Sequence, residues 1–304
     1  MASTTMTARK SVLITGAGIG GIGGELAKEF HAKGFRVFAT ARRLETVQEL
    51  QDTLGIEIIQ LDVTKAEDVR KARDEISLRT GGKLDVLVNN AFGLLGPDRD
   101  YSIELEIDTV VKEIFEINLF AVMRMVQEFA HLLIAAEGTI VNIGSVAGIM
   151  PFAFASAYNA SKAALHSYAD TLRVELKPFN VKVMTIITGG VKSGISRHSV
   201  ANRDLRPDSL YLPILEFYQA RASTSQVNAQ PTDEYARSVV KQVMMPDWRK
   251  PVWYWQGNFS GWVWLINTFL WKSAFDYGMM RTFGLLGLGR KWAAEKMEKA
   301  KKTD

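Results

Sequence analysis

The chain has no cysteine. Disulfides, thiolate nucleophiles and cysteine-ligated metals are therefore excluded, and a reducing compartment is compatible with the composition. Histidine is scarce: His31, His131, His166 and His198 are the only four, and no two stand at metal-ligand spacing, so no metal site is expected. Charge of one sign is also in short supply. The net charge is +4, and the tail Gly289–Asp304 alone carries six Lys/Arg against three acids. The nearly neutral body is not the basic face that nucleic acid requires, so no nucleic-acid partner is expected. The N-terminal stretch Met1–Lys10 is polar and Thr-rich, with no apolar run, so the expectation is a cytoplasmic protein without a signal peptide. There are no internal repeats and no low-complexity segments.

What is present is a large apolar fraction, 47% of 304 residues, ample for one extended core. Short Val/Ile-rich runs alternate with helical stretches from Ser11 to Ile187. The strands expected are 11–15, 35–40, 56–61, 84–89, 139–143 and 181–187. The helices expected are 21–33, 44–54, 65–79, 107–136, 158–177 and 232–244. This is the pattern of an α/β doubly wound parallel sheet, a Rossmann fold of about seven strands. The domain reading is a catalytic, dinucleotide-binding unit over 1–245 and a C-terminal aromatic-rich extension with a basic tail over 246–304. Residues 189–231 show no regular pattern, and a stretch of that length reads as a substrate lid, about 190–230.

Directly after the first strand comes Thr15-Gly16-Ala17-Gly18-Ile19-Gly20-Gly21-Ile22-Gly23. Glycines there let backbone amides approach a pyrophosphate at a helix N-terminus. Gly16, Gly18 and Gly21 fit the dinucleotide spacing in the required strand–turn–helix context, with Ile22 opening the helix. The second strand ends on Arg42 and Arg43, with no acid to bind a ribose 2′-hydroxyl. Two arginines suit a 2′-phosphate, which points to NADPH. Asp62-Val63 and Asn90-Ala91 follow the third and fourth strands, at the strand ends where open α/β sheets bind ligands. Asp62 reads either as an acceptor for the adenine amino group or as a helix cap.

Tyr158 and Lys162 are one helical turn apart, and Ser145 lies thirteen residues before the tyrosine. A tyrosine is a poor acid, with an ordinary pKa of about 10. A lysine on the same helix face is expected to favour the phenolate and pull that pKa down. A serine hydroxyl brought to the same place would polarise a carbonyl. Proton donor, tuner and polariser together suit reversible reduction of a ketone.

The glycine turn, Asp62, Asn89-Asn90-Ala91, Asn118, Ser145, Tyr158 and Lys162 stand in the order found in the classical short-chain dehydrogenases/reductases, which this chain resembles over about residues 10–245. The resemblance implies that Tyr158 protonates the substrate oxygen and Ser145 orients the carbonyl. It also implies that Lys162 tunes Tyr158 and holds the nicotinamide ribose, and that Asn118 positions a relay water. Gly189 and Val191, after the sixth strand, are implied cofactor contacts, and dimers or tetramers through helices 107–136 and 158–177 are implied too. Three departures stand out. Four residues, not three, separate Gly16 and Gly21; Phe92 replaces the usual glycine; and Ile187-Thr188-Gly189-Gly190-Val191 replaces a Pro-Gly. The last of these, with Phe38–Arg43 and the C-terminal Arg281–Leu285, is similar to fungal NADPH-dependent 1-acyldihydroxyacetone-phosphate reductases and their relatives in secondary metabolism.

Two substrate readings follow. One is a fairly apolar polyketide or terpenoid ketone, met by Phe152, Phe154, Tyr211 and the tryptophans. The other is an acyl-dihydroxyacetone phosphate, met by lid cations among Lys192, Arg197, Arg203, Arg206 and Arg221. An NADPH-holding scaffold, and an isomerase or dehydratase on the same fold, are the remaining classes. All seven tryptophans lie between Trp248 and Trp292, and Pro251–Trp271 carries no charge. That segment reads as core or oligomer interface with a seventh strand near 252–255, as a wall of the substrate pocket, or as membrane or lipid contact through 251–285. The last option would place the protein peripherally at the endoplasmic reticulum or a lipid droplet.

Overall fold

A computed structural model describes residues 9–93, 103–192 and 205–301, apart from the side chains of 222 and 223. Seven strands form one parallel sheet: β1 (Ser11–Ile14), β2 (Arg36–Ala41), β3 (Glu57–Gln60), β4 (Val86–Asn89), β5 (Thr139–Ile143), β6 (Lys182–Thr188) and β7 (Trp253–Gln256). Their order is β3-β2-β1-β4-β5-β6-β7. The chain winds outward to β3, then crosses back to lay β4 beside β1. That switch opens a crevice at the carboxyl ends of the strands.

Both sheet faces are covered, which is why the strands read as continuous apolar runs. Successive side chains point to opposite faces. Val12 and Ile14 enter one core with α1 (Ile22–Ala32) and α7 (Thr232–Val243). Leu13 enters the other, with α3 (Ala66–Thr80), α4 (Ile107–Ala136) and α5 (Ser156–Leu176). α2 (Gln48–Leu54) lies beside β3. α4 is long and apolar enough to cross a membrane, but its Met125, Val126, Phe129 and Leu133 pack on the sheet, so it is a core helix. Its hydrogen bonding widens to the i→i+5 pattern over Ile107–Val111 and Glu116–Phe120.

One expectation needs correction here. The stretch 189–231 is not irregular throughout: a 3-10 turn (Leu212–Ile214) leads into α6 (Leu215–Thr224). Ile214, Tyr218 and Arg221 form a buried stripe at helical spacing, disguised in sequence by polar neighbours and by the arginine itself. Arg197 and Arg203 lie outside the described residues. The C-terminal segment is regular through most of its described length. Its start supplies β7, one residue later than expected, and it continues as α8 (Ser260–Phe269), α9 (Asp276–Thr282) and α10 (Leu285–Lys301).

Candidate active site

The turn between β1 and α1 is built by steric exclusion. Gly16 has φ +67°, and a Cβ there would stand 2.9 Å from Ala91 Cα. A Cβ on Gly23 would meet the Gly16 carbonyl oxygen at 2.4 Å, so Gly23 permits close packing of helix on turn. Gly23 belongs with the site glycines although the Gly16/Gly18/Gly21 spacing passes over it. Gly21 is less constrained, its Cβ position lying 3.2 Å from the Gly18 carbonyl oxygen. The extra residue in the turn is absorbed by Gly20, at φ +75°. At Gly18 and Gly20 a Cβ would meet nothing within 4 Å. That open side leads to the N-terminus of α1, an arrangement that fits a pyrophosphate.

Asn90 and Ala91 brace this turn from β4. Asn90 Nδ2 donates to the carbonyls of Thr15 (2.9 Å) and Gly16 (2.8 Å), while the backbone N–H groups of Asn90 and Ala91 both donate to Thr15 Oγ1 at 3.0 Å. Asn90 Oδ1 is buried with no partner among the described residues, an orphan acceptor beside the cradle. Ile22 packs partly buried against the core, and Val63 is buried with its carbonyl accepting from Arg124. Arg42 and Arg43 are exposed at the end of β2. Asp62 is not a helix cap, because the helix starts one turn later behind Lys65. Instead Asp62 Oδ1 accepts from Thr64 N (3.1 Å) and Thr64 Oγ1 (2.7 Å). Burial pushes its pKa up, but these hydrogen bonds and the charges of Arg42 and Lys65 outweigh that and hold it below the ordinary value. The donor set at the β2 and β3 ends thus fits a phosphorylated ribose.

At the β5 end, Ser145 is extended (φ −157°), and its Oγ accepts from Ala147 N at 3.1 Å. Tyr158, in the first turn of α5, lies beside Ser145, whose hydroxyl favours its phenolate form. Four residues on, Lys162 is 4% exposed and its Nζ donates to the Ile143 carbonyl at 2.9 Å. Asn118 sits in the second widened turn of α4, fully buried. Its Oδ1 accepts from Gly93 N at 3.0 Å and its Nδ2 donates to Ser161 Oγ at 3.1 Å. The structure therefore brings Ser145 and Tyr158 into contact, with Lys162 behind them and Asn118 linked to the same helix through Ser161.

The electrostatics differ from expectation. Burial raises the Tyr158 pKa; the Ser145 hydroxyl and the charge of Arg221 oppose the rise without overcoming it. Lys162 does not pull the phenol down. Its Nζ is tied to the end of β5, 5.9 Å from the centre of the Tyr158 ring and 5.8 Å from that of Phe92, and burial lowers its own pKa to about 8. Arg221, on α6, supplies the opposing charge instead. It is buried, with its guanidinium 5.3 Å from the centre of the Phe152 ring. Phe152, Phe154, Tyr211, Tyr218 and Phe283 form an edge-to-face aromatic wall alongside, with centroid separations of 5.1–6.0 Å.

A residue that sequence reasoning did not assign lies behind the serine. His166 is buried, and its Nε2 accepts the Ser145 N–H at 3.3 Å. A Cβ on Gly144 would approach Nε2 to 2.6 Å and one on Gly148 would approach Cε1 to 2.7 Å, so both glycines make room for the ring. Burial and the Lys162 charge lower its pKa to about 4. The only sequence signal was its place one turn beyond Lys162. Gly189 and Val191 serve the sheet edge: a Cβ on Gly189 would lie 2.0 Å from the Asn258 carbonyl oxygen, and Val191 is buried in the core.

A model of the short chain dehydrogenase family matches residues 10–204. The chain is 40% identical to short-chain dehydrogenase RED1 of Pyricularia oryzae over 284 residues, covering 92% of this chain and 96% of that protein. It is 44% identical over 211 residues to the NADPH-dependent 1-acyldihydroxyacetone phosphate reductase of Schizosaccharomyces pombe, covering 68% of this chain and 70% of that one. A short-chain dehydrogenase crystal structure from Streptomyces avermitilis shares the fold, with a TM-score of 0.71 at 24% identity over 98% of this chain and 99% of that chain. The chain therefore belongs to the short-chain dehydrogenase family and is an oxidoreductase.

Proposed function

We propose that the protein is an NADPH-dependent reductase that converts a ketone on an apolar small molecule to an alcohol. The observation that carries this is the Ser145–Tyr158 contact with Lys162 buried behind it, at the end of β5 beside the switch-point crevice. Gly16, Gly18, Gly21 and the start of α1 hold the pyrophosphate. Arg42 and Arg43 take the 2′-phosphate, and Asp62 with Val63 borders the adenine. A bound NADPH supplies a hydride to the carbonyl carbon. Ser145 Oγ steadies the carbonyl oxygen, and Tyr158 Oη gives that oxygen its proton, leaving a phenolate that Arg221 stabilises through its charge. The aromatic wall excludes water and accepts the apolar body of the substrate.

The test is NADPH oxidation with a panel of ketones, comparing wild type with Tyr158→Phe. Turnover should fall by at least about a hundredfold in the variant. Equal turnover would remove Tyr158 from the proposal. Replacing Arg42 and Arg43 with alanine should raise the KM for NADPH without raising that for NADH.

Arg221 favours a second reading, in which the substrate also carries a phosphate, as the name of the fission-yeast relative describes for that protein. Arg221→Met would then weaken turnover of a phosphorylated ketone at least about tenfold more than that of neutral ketones. Assembly as a homo-oligomer through α4 and α5 fits the exposed Phe120 and Val174, and light scattering would test it.

A further inference from the structure

We propose that the C-terminal extension is a membrane-docking surface, with α8 lying in the interface of a bilayer that contains anionic phospholipid. α8 carries an apolar stripe at the i, i+3, i+4, i+7 spacing that normally faces a core. Here all of it but the half-buried Ile266 is exposed. Trp262, Leu265, Ile266 and Phe269 make up the stripe. Val263, on the opposite side, is buried, and Asn267 beside it lines a cavity against α5. Trp262 is 68% exposed, Phe269 68% and Trp271 71%. Trp264 lies edge-on to Phe269 with centroids 6.0 Å apart, so the rings form one patch. Leu270, Tyr277 and Met280, further along the same segment, are exposed as well.

Size and charge identify the occupant. At roughly 150–250 Å² per aromatic side chain, the exposed parts of Trp262, Trp264, Phe269 and Trp271 come to on the order of 400–600 Å². Patches of that extent mark interaction sites. A stable protein interface needs about 800 Å² on each partner, so the patch is small for a second copy of the chain. The charge argument is independent of the area. No acid occurs between Asp247 and Asp276. Lys272 and Arg281 are exposed beside the patch against Asp276, and α10 adds exposed Arg290, Lys291, Lys296, Lys299 and Lys301 against Glu295 and Glu298, so positive charge prevails. A second copy would bring the same positive rim against this one. Anionic headgroups neutralise it, while tryptophans settle at the headgroup boundary. α8 does not span: its ten residues reach about 15 Å, half of a hydrocarbon core.

The test is flotation of the full chain with vesicles of phosphatidylcholine alone and of phosphatidylcholine with phosphatidylserine. Wild type should float with the anionic vesicles, with tryptophan emission shifting to the blue. The triple variant W262Q/F269Q/W271Q should bind at least about ten times more weakly. Because these side chains are exposed, it should keep the wild-type circular dichroism and melting temperature, which separates this outcome from misfolding and from any failure of the reductase reading. R290E/K291E should weaken anionic binding alone. The proposal is overturned if wild type stays unbound on both vesicles, if the triple variant floats as wild type does, or if the triple variant's main effect is to convert dimers to monomers.

Discussion

His166 titrates far from its ordinary range, and the consequence can be measured. Its pKa falls from 6.5 in the unfolded chain to about 4 in the fold, because burial and the charge of Lys162 oppose a second positive charge. Between those values the unfolded chain binds the extra proton and the folded chain does not. The stabilising contribution is thus complete above pH 6.5 and is lost as pH falls towards 4. Between about pH 7 and pH 5 the loss from this one residue is about 2 kcal/mol. Carboxylates titrate mostly below that window, so the term can be isolated. His166→Gln is the informative substitution. Its Oε1 stands where Nε2 stood, so it can still accept the Ser145 N–H, but it does not titrate. Urea unfolding at a series of pH values should show wild type losing about 2 kcal/mol more than H166Q over the window. His166→Leu leaves the Ser145 N–H buried and unpaired, at a cost of about 1–3 kcal/mol, and should also lower ketone turnover, which H166Q restores. Parallel pH slopes for wild type and H166Q would refute the titration argument. Equal turnover in H166L and H166Q would show that His166 does not position Ser145.

Other outcomes follow from single contacts. Gly16→Ala forces a Cβ against Ala91 at a positive φ, and should cost about 1–3 kcal/mol of stability and weaken NADPH binding, read by calorimetry. Tyr235→Phe removes the buried 2.6 Å hydrogen bond between Tyr235 Oη and Thr188 Oγ1, and should cost about 1–2 kcal/mol without altering the KM for cofactor. Phe283→Ala empties a site packed on Phe152 and Phe154, and should cost about 3–5 kcal/mol while raising the KM for apolar ketones.

The sheet was legible because its central strands are buried on both faces and so read as apolar runs, whereas β3 and β7 at the edges are only partly buried. Ser145, Tyr158 and Lys162 were legible because helix periodicity and chain order together constrain them. Their electrostatics were not. Whether Lys162 acts on the phenol depends on where its ammonium is anchored, and the Ile143 carbonyl that holds it comes from another strand. Arg221 looked like one lid cation among several, because its burial depends on α6 folding over Phe152. The widened turn at Asn118 left no mark either, since an i→i+5 turn uses the same residues as an α-helix.

β7 closes the sheet, and Phe283 reaches back from the same C-terminal segment into the aromatic wall. Under the proposed reductase reading, the segment that shapes the substrate side is thereby separate in sequence from Ser145, Tyr158 and Lys162, yet joined to them through the sheet edge. On that reading, changes in the last stretch of the coding sequence would alter the substrate accepted while leaving Ser145, Tyr158 and Lys162 untouched. The same dependence makes this segment a poor place to cut: a truncated chain would lose an edge strand together with one ring of the aromatic wall.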